Sequence, residues 1–324
     1  MNFLKTCLIF IVTIVFFSAC NIANKKTGVA YQTKFVNGST NNKIEILDFG
    51  GTGQPLLFLT GMGNSAHIFV DFAPKFSDKF HVYAMSRRGY GASEQTASGF
   101  STDTLAMDIL AVTKALNLNK VILIGHSIAG DEISKFASTY PDKVEKVIYL
   151  DAAYDHKSIW PTLVQYMPAF PKLTAADTSS SDGLKAYYKK IAGITYPDDE
   201  MKNTIVFSTN GKYLKDVTSD EIQDKLVTGL EHPNYKSIQC PALAIYATAS
   251  TPDIIIPFYS LLDTVNKKIA DARFAIFKNF AGEQIERFKK EVKKGVVKEM
   301  KEENHYIFLS NPLETENYIR EFLK

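Results

Sequence analysis

Cysteine is nearly absent from the body of this chain. Of three cysteines, Cys7 and Cys20 fall in the first twenty residues and only Cys240 lies beyond them. No internal disulfide can form there, so stability has to come from a buried apolar core. Cys240 precedes Pro241 and an apolar run, and reads as a small buried residue without chemistry. No His/Cys cluster carries the spacing of a metal site, and no Gly-rich loop of the phosphate-cradling kind is visible. Neither a metal nor a cofactor is therefore expected. A dominant charge is missing as well: the formal net charge is +2, which offers no field to draw in nucleic acid. Lysines crowd Lys278 to Lys301, but Glu283, Glu286, Glu291 and Glu299 interleave with them, as on a solvated helix face. Internal repeats and low-complexity stretches are lacking too.

What is present begins with an N-terminal leader. Lys5 supplies a short basic region, and Leu8 to Phe17 form an apolar run too short to span a bilayer as a mature helix. Ser18-Ala19-Cys20 then places small residues directly before a cysteine. This resembles the lipobox of bacterial lipoproteins, in which that cysteine is lipidated and becomes the first mature residue. The resemblance implies a signal peptide over 1–19, lipidation of Cys20, a polar tether over 20–30, and a protein held to a membrane of the bacterial cell envelope. The alternative is an ordinary secretory signal cut near Ala19.

The remainder is long enough for one large α/β domain. Tyr31 to Val36 and Lys43 to Phe49 alternate as early strands. Pro55 to Leu59, His81 to Met85, Lys120 to Ile124, Val144 to Leu150 and Ala242 to Ala247 are continuous apolar runs, typical of strands buried on both faces. Helical patterns lie between them, over Ala66 to Ser77, Thr102 to Leu116 and Ile128 to Tyr140. Strand and helix alternating at this spacing predict a mostly parallel sheet flanked by helices. After Asp151 about ninety residues pass before the next strand. They include helical stretches at Asp182 to Ala192 and Asp220 to Leu230, and they predict an inserted helical cap. The division is a core of 31–153 and 238–324 with the cap at 154–237.

The chemistry gathers at Gly125-His126-Ser127-Ile128-Ala129. A strand that turns straight into a helix brings other backbone close, so the positions two before and two after the serine must be small. Such a turn holds the serine in a strained conformation with its oxygen exposed. The helix then aims its N-terminal dipole at that oxygen, and the Ile128 amide becomes available to an oxyanion.

This pattern resembles the nucleophile elbow Gly-x-Ser-x-Gly of the α/β-hydrolase family, with Ala129 in place of the last glycine and Gly130 behind it. Three further stretches fall into that family's order. Thr60-Gly61-Met62-Gly63 ends a buried strand where the family has His-Gly, and the resemblance implies that the Met62 amide supplies half of the oxyanion hole. Ser86-Arg87-Arg88-Gly89-Tyr90-Gly91-Ala92-Ser93 is similar to the family's Asp-x-Arg-Gly-x-Gly-x-Ser turn, with Ser86 replacing the aspartate. Asn304-His305 follows a strand-like Val296 to Met300, and Pro312 stands seven residues after His305, as in the family. Histidine suits a general base because its pKa lies near neutrality. His126 is expected to point away from the serine, and His67, His81, His156 and His232 read as packing or surface residues.

The acid has two candidates. The family most often places it after the strand that is here Ala242 to Ala247. The usual position is Ser250, and the nearest carboxylate is Asp253, four residues before Pro257. Asp151, at the end of the preceding strand, occupies the place used by some lipases. Family habit favours Asp253; if neither serves, Glu132 or a histidine held by water comes next.

The resemblance implies a serine hydrolase acting on an ester or related acyl bond through an acyl-enzyme, with a small-molecule acyl substrate. The alternatives are a cofactor-free perhydrolase or lyase on the same fold, or a lipid-tethered binding protein without turnover. Cap aromatics Trp160, Tyr166, Tyr187 and Tyr188 are either a pocket wall or the cap's own core.

Overall fold

The computed structural model describes residues 31–324. The leader, Cys20 and the tether lie outside the described residues. Among the described residues ten strands and ten α-helices follow in chain order: β1 (Gln32–Asn37), β2 (Lys43–Gly50), β3 (Pro55–Leu59), β4 (His81–Met85), α1 (Thr102–Ala115), β5 (Val121–His126), α2 (Ala129–Thr139) and β6 (Val144–Leu150). Next come α3 (His156–Gln165), α4 (Ser181–Ala192), α5 (Asp198–Thr204), β7 (Ile205–Phe207), β8 (Tyr213–Asp216) and α6 (Asp220–Thr228). The chain ends with β9 (Ala242–Thr248), α7 (Pro252–Ile255), α8 (Thr264–Glu291), β10 (Gly295–Lys301), α9 (Ile307–Ser310) and α10 (Pro312–Leu323).

Eight strands form one sheet in the order β1-β2-β4-β3-β5-β6-β9-β10. From β4 to β10 all neighbours are parallel, while β1 and β2 join the other edge antiparallel. The continuous apolar runs follow from this position, since a strand with helices on both sides has no wet face. Alternate residues serve two cores. Leu57, Leu59, Leu123, Val147, Tyr149, Ala244 and Tyr246 meet α1, α2 and the C-terminal half of α8 through Ile109, Ile133, Phe136, Ile285 and Phe288. Leu56, Phe58, Ile122, Ile124, Ile148, Leu150, Leu243 and Ile245 meet Ile68, Phe69, Phe72, Phe76, Phe308 and Ile319 on the opposite face. Each fully buried aliphatic or phenyl side chain contributes about 1.5–3 kcal/mol, so the central strands cannot slip by one residue without exchanging both cores.

Two expectations change. The helical pattern at Ala66 to Ser77 is two short 3₁₀ turns, Ala66–Phe69 and Ala73–Phe76. Pro74 lacks an N–H and its ring would strike the carbonyl of residue 70, so one continuous helix cannot form there. Within the segment between β6 and β9, α3 to α6 are joined by a two-stranded antiparallel ribbon of β7 and β8, which no helical pattern foretold. The 28-residue α8 lies between β9 and β10. Its C-terminal half packs on the sheet, while Ala270 packs with Ile256, Phe258 and Leu262 against Ile191 of α4. The N-terminal half of α8 thus extends the layer formed by α3 and α4.

Candidate active site

Strands β5 and β6 pair His126 with Leu150, so the residues that follow, Ser127 and Asp151, emerge together at the carboxyl edge of the sheet. Both adopt left-handed backbone, with φ of 54° at Ser127 and 45° at Asp151. Such a conformation costs a non-glycine residue about 1–3 kcal/mol, and it persists because the strand before each and the packing after it are fixed. A Cβ added at Gly130 would lie 1.8 Å from the carbonyl oxygen of Ala152, and one at Gly125 2.9 Å from Ile133. The smallness that the tight turn demands therefore falls on Gly125 and Gly130, which explains how Ala129 is accommodated. Helix α2 starts at Ala129, and Ser127 and Ile128 lie at its N-terminus.

The loop before α9 brings His305 to the same edge. Its Nδ1 lies 2.6 Å from Oδ2 of Asp151. The other oxygen of Asp151 accepts hydrogen bonds from the Tyr154 hydroxyl at 2.6 Å and from the Ala247 amide at 3.0 Å. This carboxylate is buried, whereas the imidazole is 40% exposed. The structure brings Asp151, and not the Asp253 that family habit favours, to the imidazole: Asp253 stands exposed in the first turn of α7, away from this bond. Ser250, at the customary position for the acid, instead donates through its amide and hydroxyl to Glu302. Among the described residues no direct hydrogen bond joins the Ser127 hydroxyl to the imidazole. In substrate-free hydrolases the contact between nucleophile and base is often long.

His126 makes no hydrogen bond to the Ser127 hydroxyl among the described residues and turns instead to the histidine loop. Its ring lies 4.6 Å from that of His305, and its Nε2 is 3.1 Å from the His305 carbonyl oxygen. A carbonyl only accepts, so Nε2 carries the proton and Nδ1 is bare. Burial holds the His126 pKa well below the ordinary histidine value, which keeps the ring neutral. A Cβ at Gly61 would come within 2.9 Å of that bare Nδ1 and 3.1 Å of Ser127 Cβ. Loop 60–63, the elbow and the histidine loop therefore converge on one point. The remaining histidines are each held by a carboxylate: His67 by Glu45, His81 by Asp48, His156 by Asp131 and His232 by Asp155.

Support for the loop at 60–63 comes from Arg87. Its guanidinium donates to the carbonyls of Thr60 at 2.7 Å and Gly61 at 3.4 Å, and its Nε donates to Glu132 of α2 at 2.6 Å. Glu132 is thus committed to Arg87. Ser86, which stands where the resemblance has an aspartate, donates to Glu45 at 2.7 Å, so a carboxylate from β2 does sit beside this turn. Arg88 makes a two-pronged pair with Asp108 of α1, 2.7 Å on each branch. The Thr60 hydroxyl is buried without a partner among the described residues.

The family model for the alpha/beta hydrolase fold matches residues 54–269. The chain belongs to that family. Among curated relatives, this family member is 31% identical over 101 residues to the 2-(acetamidomethylene)succinate hydrolase of Mesorhizobium japonicum, spanning 31% of this chain and 36% of that protein. It is 35% identical over 120 residues to a non-heme chloroperoxidase of Streptomyces lividans, spanning 36% of this chain and 44% of the relative. The aligned stretch is thus less than half of either relative. In fold it is similar to the crystal structure of E-2-(acetamidomethylene)succinate hydrolase, with a TM-score of 0.65 and 19% identity over 90% of this chain and 99% of the other. It is similar too to a carboxylesterase from Bacillus subtilis, with a TM-score of 0.57 and 19% identity over 91% and 92% of the two chains. Among the described residues no group of three or more His, Cys, Asp or Glu could hold a metal ion, and no helix is long and apolar enough to cross a membrane.

Proposed function

We propose that this protein is a serine hydrolase that cleaves an ester or related acyl bond through Ser127, His305 and Asp151. The observation that carries the reading is the 2.6 Å bond between His305 Nδ1 and a buried, doubly hydrogen-bonded Asp151, beside a serine held at φ 54°. His305 Nε2 takes the proton of the Ser127 hydroxyl as Oγ attacks the acyl carbon. Asp151 keeps the imidazole in the tautomer that leaves Nε2 free and stabilises the imidazolium that forms. The amides of Met62 and Ile128 receive the oxyanion, and the dipole of α2 favours its charge. The imidazolium then protonates the leaving alcohol. Water, deprotonated by the same histidine, releases the acid from Ser127.

A fluorophosphonate probe tests this directly: it should label Ser127 and no other residue, and Ser127→Ala should abolish turnover of p-nitrophenyl esters while the protein stays folded. No labelling, together with no hydrolysis across a panel of chain lengths, leaves the non-catalytic binding protein as the reading. The likeness to a chloroperoxidase favours a second reading on the same residues. In it hydrogen peroxide replaces water at the acyl-enzyme and a peracid leaves, which appears as peracid formation in acetate and peroxide.

We further propose lipidation at Cys20 and attachment to a membrane of the bacterial cell envelope, on the strength of Ser18-Ala19-Cys20 after the apolar run. Radiolabelled palmitate should enter the wild type and be absent from Cys20→Ala.

A further inference from the structure

Helix α5 belongs to the segment inserted between β6 and β9, yet its Glu200 reaches the loop that carries Met62. One carboxylate oxygen accepts from the Asn64 side-chain amide and from the Ser65 backbone N–H, both at 3.0 Å, and the other accepts from the Ser65 hydroxyl at 2.6 Å. Glu200, Asn64 and Ser65 are all buried. Asn64 in turn accepts from the hydroxyl of Tyr306 at 3.2 Å, and that hydroxyl lies 3.0 Å from the hydroxyl of Tyr196 in the inserted segment. Tyr306 is the residue after His305. The same segment grips the histidine loop again, since the Asn304 side-chain amide donates to the Ala192 carbonyl at 2.8 Å.

We propose that Glu200 is a positioning residue for the acyl-transfer reaction: through Asn64 and Ser65 it fixes the Met62 amide toward the oxyanion, and through Asn64 and Tyr306 it couples that loop to the loop of His305. The proposal rests on the serine-hydrolase reading and adds a control by the inserted segment over both halves of the machinery. The arrangement is costly to build. A carboxylate stripped of water is unfavourable, and burial raises the Glu200 pKa to about 7 despite its three hydrogen bonds. The titratable groups around it are His67, which pairs with Glu45, and the hydroxyls of Tyr196 and Tyr306. No arginine or lysine faces it among the described salt bridges, so nothing about the pair-free carboxylate resembles an ion pair kept for stability. A simple packing role would be filled as well by an apolar side chain. Three donors converging from the residues just after Met62 instead suit a device that holds a loop against movement, because an oxyanion hole works through donors oriented before the reaction starts.

The test compares the wild type with Glu200→Gln, Glu200→Ala and Tyr306→Phe on p-nitrophenyl butyrate, alongside thermal unfolding. Glutamine keeps one acceptor oxygen but turns an N–H₂ toward the Ser65 hydroxyl. We expect kcat to fall about tenfold in Glu200→Gln and about a hundredfold in Glu200→Ala, the scale of losing one oxyanion donor, with KM within about twofold. The Glu200→Gln and Tyr306→Phe losses should be less than additive, since both act through Asn64. If the glutamine variant is folded and turns over like the wild type at 25 °C, the proposal is overturned, whatever its melting temperature. A rise in KM with kcat unchanged overturns it as well, and assigns Glu200 to the substrate wall. Should the alanine variant fail to fold, Tyr306→Phe decides: wild-type kcat there breaks the coupling. Failure of the serine-hydrolase reading is distinct, because then the wild type itself shows neither turnover nor probe labelling.

Discussion

Replacing Asp151 by asparagine separates chemistry from stability because the carboxylate divides its contacts. One oxygen serves Tyr154 and Ala247, and the other faces His305 Nδ1. In Asp151→Asn the amide oxygen can keep the Tyr154 and Ala247 bonds, which leaves the N–H₂ group against His305. Two donors then meet, and the imidazole relieves this by moving its proton to Nε2. That tautomer cannot accept the Ser127 proton. The expected loss in kcat is roughly 10³–10⁴-fold, equivalent to about 4–5.5 kcal/mol of barrier at 1.36 kcal/mol per decade. The same change should cost only about 1–2 kcal/mol of folding stability, since two of three hydrogen bonds survive and the lost one is charge-assisted. Initial rates on p-nitrophenyl butyrate, paired with urea unfolding of both proteins, measure the two quantities. Asp253→Asn, at an exposed helix start, should stay within about twofold of wild type in rate. The reasoning is refuted if Asp151→Asn keeps its rate within tenfold, or if Asp253→Asn carries the large loss.

The left-handed backbone at Ser127 predicts that Ser127→Gly loses turnover while its thermal midpoint equals or exceeds that of wild type. Relief of about 1–2 kcal/mol of strain outweighs the entropy cost of glycine, roughly 0.5–1 kcal/mol. Gly130→Ala should cost about 3 kcal/mol or more in chemical denaturation, because its Cβ would meet backbone, the Ala152 oxygen, at 1.8 Å. Glu200 also sets a pH dependence of stability. Its folded pKa, about 7, lies above the ordinary 4.5, so its contribution is fully present below pH 4.5 and is lost as pH rises through 7. The thermal midpoint of wild type should therefore fall relative to Glu200→Gln between pH 5 and 7.5; parallel curves would contradict the assignment.

Much of the fold is legible in the amino-acid sequence, and the reason is burial. Leu56 to Leu59 and Val121 to Ile124 had to be apolar at every position because both faces of their strands are covered. Ser127 announced itself through Gly125 and its place between such a run and a helix. Which aspartate meets His305 was not legible, because Asp151 and Asp253 both follow sheet strands and only the fold shows which carboxylate lies against an imidazole 154 positions along the chain. The partner of His126 was hidden for the same reason, being the carbonyl of His305. Glu200 left no local trace at all, since in α5 it looks like an ordinary first-turn acid and its partners lie about 135 residues earlier. The β7–β8 ribbon, at three and four residues, is too short for a periodic signal.

With Asp151 just after β6 as the proposed acid, the stretch from Ala249 to Glu291 between β9 and β10 carries none of the proposed reacting groups. Changes of length or surface there would leave the proposed triad at the ends of β5 and β6 and on the loop after β10. The N-terminal half of α8, packed through Ala270 beside Phe258 and Ile191, lies in that stretch. On the proposed triad, a library confined to 249–275 would vary this layer and leave Ser127, Asp151 and His305 untouched.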